Sequence, residues 1–144
     1  MLKDLIHSTQ YKDFTSKQIK ELIEFLVEQN EEFNLTANIQ GVDFNPDIPQ
    51  TISEHFGQFT LFTLANYTYQ SLQIFDDCVT FEAGFGSENF GSLCTIPYYA
   101  IFQISIDNSI LFINPSATIE KHFLPEIDEE EQKKRSMNAL RFNR

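Results

Sequence analysis

The sequence predicts an α+β fold in which an N-terminal helix packs on a small β-sandwich or open barrel, followed by a flexible C-terminal tail. Three observations support this prediction. Apolar residues recur with a helical period between residues 16 and 30, and the period then changes from 3.6 to 2, as in half-buried strands. From Pro115 onward the chain becomes strongly charged. A chain of 144 residues has the length of a single domain.

The predicted helix begins after Thr15, which we expect to be the N-cap, with Gln18 as its capping-box partner. It runs to about Asn30. Its apolar side chains cover an arc of roughly 200°, about twice the width that contact with one core requires. We therefore expect this helix also to contact a second copy in a homodimer; the alternative is that the arm at residues 1–12 or a loop covers it. The residues that we assign to the dimer contact are Ile19, Leu22, Ile23, Phe25 and Leu26.

Short strands follow the helix, separated by Gly, Pro, Asn and Asp. The predicted strands are residues 33–39, 59–64, 67–75, 79–85 and 93–96, and residues 104–113 form a hairpin. Residues 40–58 are predicted to be a loop, and residues 98–102 a helical turn. In the fourth strand the sequence predicts that Val79, Phe81, Ala83 and Phe85 line one face, and Phe81 and Phe85 could belong to the core.

The domain is predicted to span residues 1–114, with a charged linker at 115–138. The linker contains an acidic run at 126–131 and a basic run at 133–135. A segment of this composition buries too little apolar surface to hold itself in place. We therefore expect it to be a flexible tail.

The distribution of charge excludes several partners. The net charge is −11, and the stretch from Glu21 to Glu120 contains fourteen acidic residues and no Lys or Arg. Such a surface cannot neutralise phosphates, which argues against binding to nucleic acid or to an anionic membrane. The sequence contains no apolar run of membrane-spanning length and no secretory signal, so we expect a cytoplasmic protein. Two cysteines, Cys78 and Cys94, suit a reducing compartment.

The sequence offers little catalytic chemistry. His7, His55 and His122 are dispersed and lack the spacing of metal ligands, so we expect no metal and no cofactor. The glycines at 84, 86 and 91 lack the Lys and Ser/Thr of a phosphate-binding loop. We therefore predict a protein that is not an enzyme and has no catalytic residue.

One stretch resembles a known family. It contains Phe81-Glu82-Ala83-Gly84-Phe85-Gly86, then Ile96-Pro97-Tyr98-Tyr99-Ala100-Ile101, then a hairpin ending in Leu111-Phe112. The order and spacing of these segments resemble the stringent starvation protein B family, adaptors of the ClpXP protease, over roughly residues 15–114. The residues 139–144, Ala-Leu-Arg-Phe-Asn-Arg, resemble the basic-ended peptide with which that family docks on the unfoldase ClpX.

The resemblance implies a non-enzymatic adaptor that binds ssrA-type degradation tags and delivers tagged polypeptides to ClpXP. It implies a peptide-binding groove formed by Phe81, Ala83, Gly84, Phe85, Gly86, Tyr99 and Ala100. It also implies that the N-terminal domain of ClpX is bound by Ala139, Leu140, Arg141, Phe142 and Arg144. The tether would raise the effective concentration of a bound tag at the protease.

Two other classes of protein fit the sequence. A small, acidic, dimeric α+β protein is typical of a type III secretion chaperone, which binds an unfolded effector segment. Such a chaperone would not need the docking peptide at 139–144. A small hydrolase would instead depend on Cys78, Cys94 or His55.

Overall fold

A computed structural model of the chain describes residues 2–124 and confirms the predicted α+β fold. The helices in this part of the chain are α1 (Leu2–His7), α2 (Thr9–Glu28), α3 (Gln50–Ser53) and α4 (Asn66–Gln70). The strands are β1 (Phe33–Asn38), β2 (Asp43–Asn45), β3 (Phe59–Leu64), β4 (Gln73–Ile74), β5 (Cys78–Phe85), β6 (Phe90–Pro97), β7 (Ile101–Ile106) and β8 (Ser109–Ile113). Short 3-10 turns occur at Ile39–Gly41, Tyr98–Ala100, Pro115–Thr118 and Glu120–Phe123.

The strands form two antiparallel four-stranded sheets. Sheet I has the order β3-β1-β7-β8, and sheet II has the order β2-β6-β5-β4. Both sheets and α2 contribute side chains to one buried core. The ring centroids of Phe62 in sheet I and Phe81 in sheet II lie 5.6 Å apart, so the two sheets contact each other across that core. Among the described residues, no helix is long and apolar enough to cross a lipid bilayer.

Strand β5 alternates between more buried and more exposed residues. Val79 and Phe81 are fully buried and Ala83 and Phe85 are half-buried, as predicted for one face of this strand. A tight turn at residues 86–89 then returns the chain into β6. Gly86 and Asn89 occupy positive φ angles of 73° and 54° in this turn, a conformation that favours Gly and Asn.

The start of the long helix differs from the prediction. Ser8 is the N-cap, and its side chain accepts a hydrogen bond from the Tyr11 N–H. Thr15 lies inside α2 and is buried, and its hydroxyl donates to the carbonyls of Tyr11 and Lys12 at 3.1 Å. The residues that were predicted to form an arm are therefore helical. Ser8 and Thr15 are both residue types that cap helices, but α2 begins after Ser8, and Thr15 lies inside it.

Two segments predicted as strand or loop form other structures. Residues 67–75 are not one strand: they form α4 and the two-residue β4. The reason is that Tyr69 and Leu72, three residues apart, both pack against the core, which suits a helical turn better than alternation. The segment 40–58, predicted as a loop, contains β2 and α3.

The first part of the predicted linker packs on the body. Ser116 and Ala117 are fully buried, and the Asn114 side chain donates to the Ile101 carbonyl at 3.0 Å. Phe123 packs on the Tyr99 ring at 5.3 Å. Residues 115–124 therefore belong to the folded unit, because small residues allow a close turn before the charged run begins. The remaining linker and the docking peptide at 139–144 lie outside the described residues.

Candidate functional site

A groove of about 730 Å³ opens on the outer face of sheet II. Its floor is made by β5 and β6. One wall is the segment 65–68, at the start of α4, and the opposite wall is Asn45-Pro46, at the end of β2. The groove therefore lies between the sheet and the two connections that flank it.

A pair of glycines lowers the floor of the groove. Gly84 on β5 pairs with Gly91 on β6, so two neighbouring positions of the sheet carry no side chain. A Cβ at Gly84 would collide with the carboxamide of Asn89, which lies over it. A Cβ at Gly91 would meet no heavy atom within 4 Å. Gly84 is thus needed for the present packing, whereas Gly91 leaves space that a ligand can enter.

Beside this floor, no described strand pairs with the edge of β5 beyond β4. Strand β4 pairs only with Val79 and Thr80, while β5 continues to Phe85. Beyond β4, the Glu82 N–H donates to Ser71 Oγ at 2.8 Å, so the main-chain groups of Glu82 point away from β6. Because these groups alternate along a strand, the N–H and C=O of Gly84 point to the same side. An extended chain can pair with them there.

The groove carries one negative charge. Among the described residues that line it, Glu82 is the charged one, and the others are apolar or neutral polar. The Tyr67 hydroxyl donates to Glu82 Oε2. This hydrogen bond and the carboxylate's charge raise the pKa of Tyr67, so the phenol stays protonated as a donor. The arrangement fixes the carboxylate against one wall.

Two of the residues predicted to bind peptide line the groove, namely Ala83 and Gly84. Phe81 is fully buried, so it serves the core. Phe85 is half-buried, and its ring packs on Phe44 at 5.6 Å within an aromatic cluster. Gly86 lies in the β5–β6 turn, where a Cβ would come within 2.9 Å of Ile52.

The two remaining predicted residues lie elsewhere. Ala100 is fully buried, and a Cβ added to Gly41 would come within 2.5 Å of the Cβ of Ala100. Tyr99 packs on Phe123, and the Lys12 ammonium lies 4.6 Å from the centre of its ring. Neither residue lines the groove. Their role in the structure is to hold the segment after β8 against α2 and the body.

Several residues that line the groove were not predicted from the sequence, chiefly Tyr67, Glu82, Asn89 and Gly91. A signal for part of this set exists in the sequence. Gly84 and Gly91 stand symmetrically about the midpoint of a tight hairpin, so strand pairing brings them opposite each other. Nothing in the sequence placed Tyr67 in the groove. Its position depends on α4, and this segment was predicted to be a strand.

The five residues assigned to a dimer contact separate into two groups. Ile19, Ile23 and Leu26 are buried in the protein's own core, where a second copy cannot reach them. Leu22 is half-buried and Phe25 is 54% exposed. The wide apolar arc therefore serves the core on one side, and the homodimer prediction now depends on Leu22 and Phe25.

The cysteines and histidines do not form a reactive group. Cys94 is fully buried, and burial raises the pKa of its thiol to about 12, which disfavours a nucleophilic thiolate. Desolvation also raises the pKa of the Cys78 thiol. His55 is exposed, and its Nε2 lies 3.7 Å from Oε1 of the neighbouring Glu54. Within residues 2–124 no cluster of three or more His, Cys, Asp or Glu side chains suits a metal ion.

Comparison of the chain with protein-family models and with curated proteins finds no match.

Proposed function

We propose that the protein is a non-enzymatic adaptor that binds an extended peptide of the ssrA type in the groove on sheet II and delivers the tagged polypeptide to ClpXP. The observation that carries the proposal is the edge of β5 beside the paired glycines 84 and 91, with which no described strand pairs beyond β4. The family resemblance supplies the identity of the peptide and of the protease. We also propose a cytoplasmic location, which suits the two free cysteines, Cys78 and Cys94.

Main-chain pairing would supply the affinity for the peptide. A peptide lying along β5 would exchange hydrogen bonds with the N–H and C=O of Gly84, as in other cases where a strand is added to a sheet edge. Its side chains would alternate, so every second one would point to the side of the sheet on which the groove opens. Neutral polar groups at Asn45, Asn66 and Asn89 would be available to its remaining main-chain groups.

Filling the groove from its open floor tests the binding site. Gly91→Gln adds a side chain where a Cβ meets no neighbour, so the fold should be kept and the peptide displaced. Gly57→Gln is the matched control, because Gly57 is exposed, outside the groove, and its Cβ would meet only the Phe59 carbonyl at 3.8 Å. We expect Gly91→Gln to weaken binding of a fluorescein-labelled ssrA-type peptide at least tenfold in fluorescence anisotropy. Equal affinity of the two variants would refute the groove as the site.

Ala83→Gln is a less specific test of the groove than Gly91→Gln. Ala83 is half-buried and packs against the core cluster, so a larger side chain there would disturb the fold as well as the groove.

Removal of residues 139–144 tests delivery separately from binding. The truncated protein should bind the tag peptide as the intact protein does and should no longer accelerate degradation of a tagged substrate by ClpXP. The measurement is the rate of loss of a tagged fluorescent protein with each form. Undiminished acceleration by the truncated protein would show that this peptide does not dock.

A second candidate function is that of a chaperone for an unfolded effector segment. It is favoured by sheet I, whose four strands contain no charged residue and expose apolar side chains at Phe59, Leu61 and Ile113. An unfolded segment rich in apolar residues would bind such a face. Binding of that kind should survive deletion of residues 139–144 and the Gly91→Gln substitution, and should be weakened by Leu61→Lys.

A further inference from the structure

We infer that Glu82 makes the groove selective for peptides that carry a Lys or Arg side chain. The inference deepens the proposed function and rests on it. It identifies a feature of the ligand that the family resemblance leaves open, namely the charge of the residue that lies beside Glu82.

The first reason is that, among the described residues, no cation pairs with the carboxylate of Glu82. Glu82 is exposed on the outer face of β5, and one of its oxygens, Oε2, accepts the hydrogen bond from Tyr67. The other oxygen, Oε1, accepts no hydrogen bond from a described residue, so a ligand can contact it.

The second reason is the field around the groove. The chain from Glu21 to Glu120 has fourteen acidic residues and no Lys or Arg. The described lining of the groove contains one acidic residue and no basic one, so we expect a negative potential there, which a concave site concentrates. A cationic side chain would gain both from this field and from a direct contact with Glu82, whereas an acidic side chain would be repelled by both.

The third reason is geometric. Glu82 and Gly84 lie on the same face of β5, two residues and about 7 Å apart. A peptide paired with Gly84 along the edge of β5 would point a side chain to this same face, and the length of a Lys or Arg side chain can bridge that distance. Tyr67 holds the carboxylate in position, so little conformational freedom is lost when the pair forms.

The experiment measures the effect of one peptide position on binding. Three series of the labelled ssrA-type peptide carry Lys, Gln or Glu at each position in turn, and each is titrated by fluorescence anisotropy at low and high salt. With the unmodified protein we expect the Lys peptide to bind at least tenfold more tightly than the Glu peptide at one position, and the ratio to fall at high salt.

Two variants assign the effect to a residue. Glu82→Gln should abolish the preference for Lys and leave affinity for the Gln peptide within about twofold. Glu88→Gln removes the same charge from an exposed residue in the β5–β6 turn that does not line the groove, and should keep most of the preference. A preference that persists in Glu82→Gln would overturn the inference.

The outcomes separate this inference from the proposed function. If Lys, Gln and Glu peptides bind equally at every position while Gly91→Gln still weakens binding, the groove binds peptide and the selectivity is refuted. If no peptide binds the unmodified protein, or Gly91→Gln has no effect, both are refuted.

Discussion

The hydroxyl of Tyr69 is buried and has no hydrogen-bond partner among the described residues. The ring is well placed, because it meets Phe33 edge-on at 6.4 Å. Removing the hydroxyl removes an unsatisfied polar group and keeps the ring contact. We expect Tyr69→Phe to raise the free energy of unfolding by about 1 kcal/mol. Urea denaturation measures it, with Tyr67→Phe as the control in an exposed position; destabilisation by Tyr69→Phe would contradict the prediction.

His122 gives the fold a dependence on acid. Its Nε2 is buried with no partner in the described structure, and burial, with the charge of Lys12 as a smaller cause, lowers its pKa to about 4. Between pH 6.5 and about 4 the unfolded chain therefore binds a proton at this residue that the folded protein does not. Stability from this residue is present above pH 6.5 and is lost as the pH falls towards 4.

Replacing His122 with an apolar side chain tests this dependence. We expect the melting temperature of His122→Leu to fall less between pH 7 and pH 4.5 than that of the unmodified protein. His55→Leu, at an exposed site, is the control and should follow the unmodified protein. Parallel curves for all three proteins would show that the His122 proton has no influence on folding.

At the scale of elements, the two sides of α2 are expected to respond differently to substitution. Ile23 is fully buried in the core, so Ile23→Ala should cost about 2–5 kcal/mol of stability. Phe25 is 54% exposed, so Phe25→Asp should cost little in a monomer. If α2 forms the proposed homodimer, Phe25→Asp would place a charge in the interface and dissociate it.

Light scattering and chemical denaturation separate these effects. The dimer proposal predicts twice the chain mass of 16.7 kDa for the unmodified protein and for Ile23→Ala where it stays folded, and 16.7 kDa for Phe25→Asp. An unmodified protein that runs at 16.7 kDa would contradict the dimer.

Elements with a clear alternation were predictable from the sequence. The predicted strand 59–64 matches β3, and the predicted strand 79–85 falls within β5. The failures occurred where two local patterns compete. Thr15 has the chemistry of a cap, yet it lies within a helix whose cap is Ser8. Tyr67 and Tyr69 lie at alternate positions within the predicted strand 67–75, yet contacts of Tyr69 and Leu72 with the core favour a helical turn.

The groove was only partly predictable for a related reason. Ala83 and Gly84 were identified through their motif, and both line it. Phe81 and Phe85 belong to the same motif but are required by the core, which a linear motif does not reveal. Glu82 looked like one acidic residue among many, and its position beside Tyr67 depends on α4, which the alternating pattern concealed.

At the scale of the whole molecule, charge is unevenly distributed between the two sheets. The strands of sheet I contain no Asp, Glu, Lys or Arg, although the chain as a whole has a net charge of −11. Leu61 on β3 and Ile113 on β8 are more than half exposed, and both strands are edges of that sheet. Charged residues commonly protect such edges from pairing with other chains, and these strands lack them.

This unprotected sheet makes the colloidal behaviour of the protein depend on charge carried elsewhere. Repulsion between acidic molecules keeps them apart at neutral pH, and it disappears near the isoelectric point of about 4.5. We expect turbidity to rise sharply there, and Ile113→Lys to suppress it more than Ser87→Lys, which adds the same single positive charge at an exposed residue outside sheet I. Equal suppression by the two variants would mean that net charge alone governs solubility. If sheet I governs the turbidity, storage and purification of this protein require a pH well above 4.5. The reason is that the charges that keep the molecules apart lie outside the sheet through which they associate.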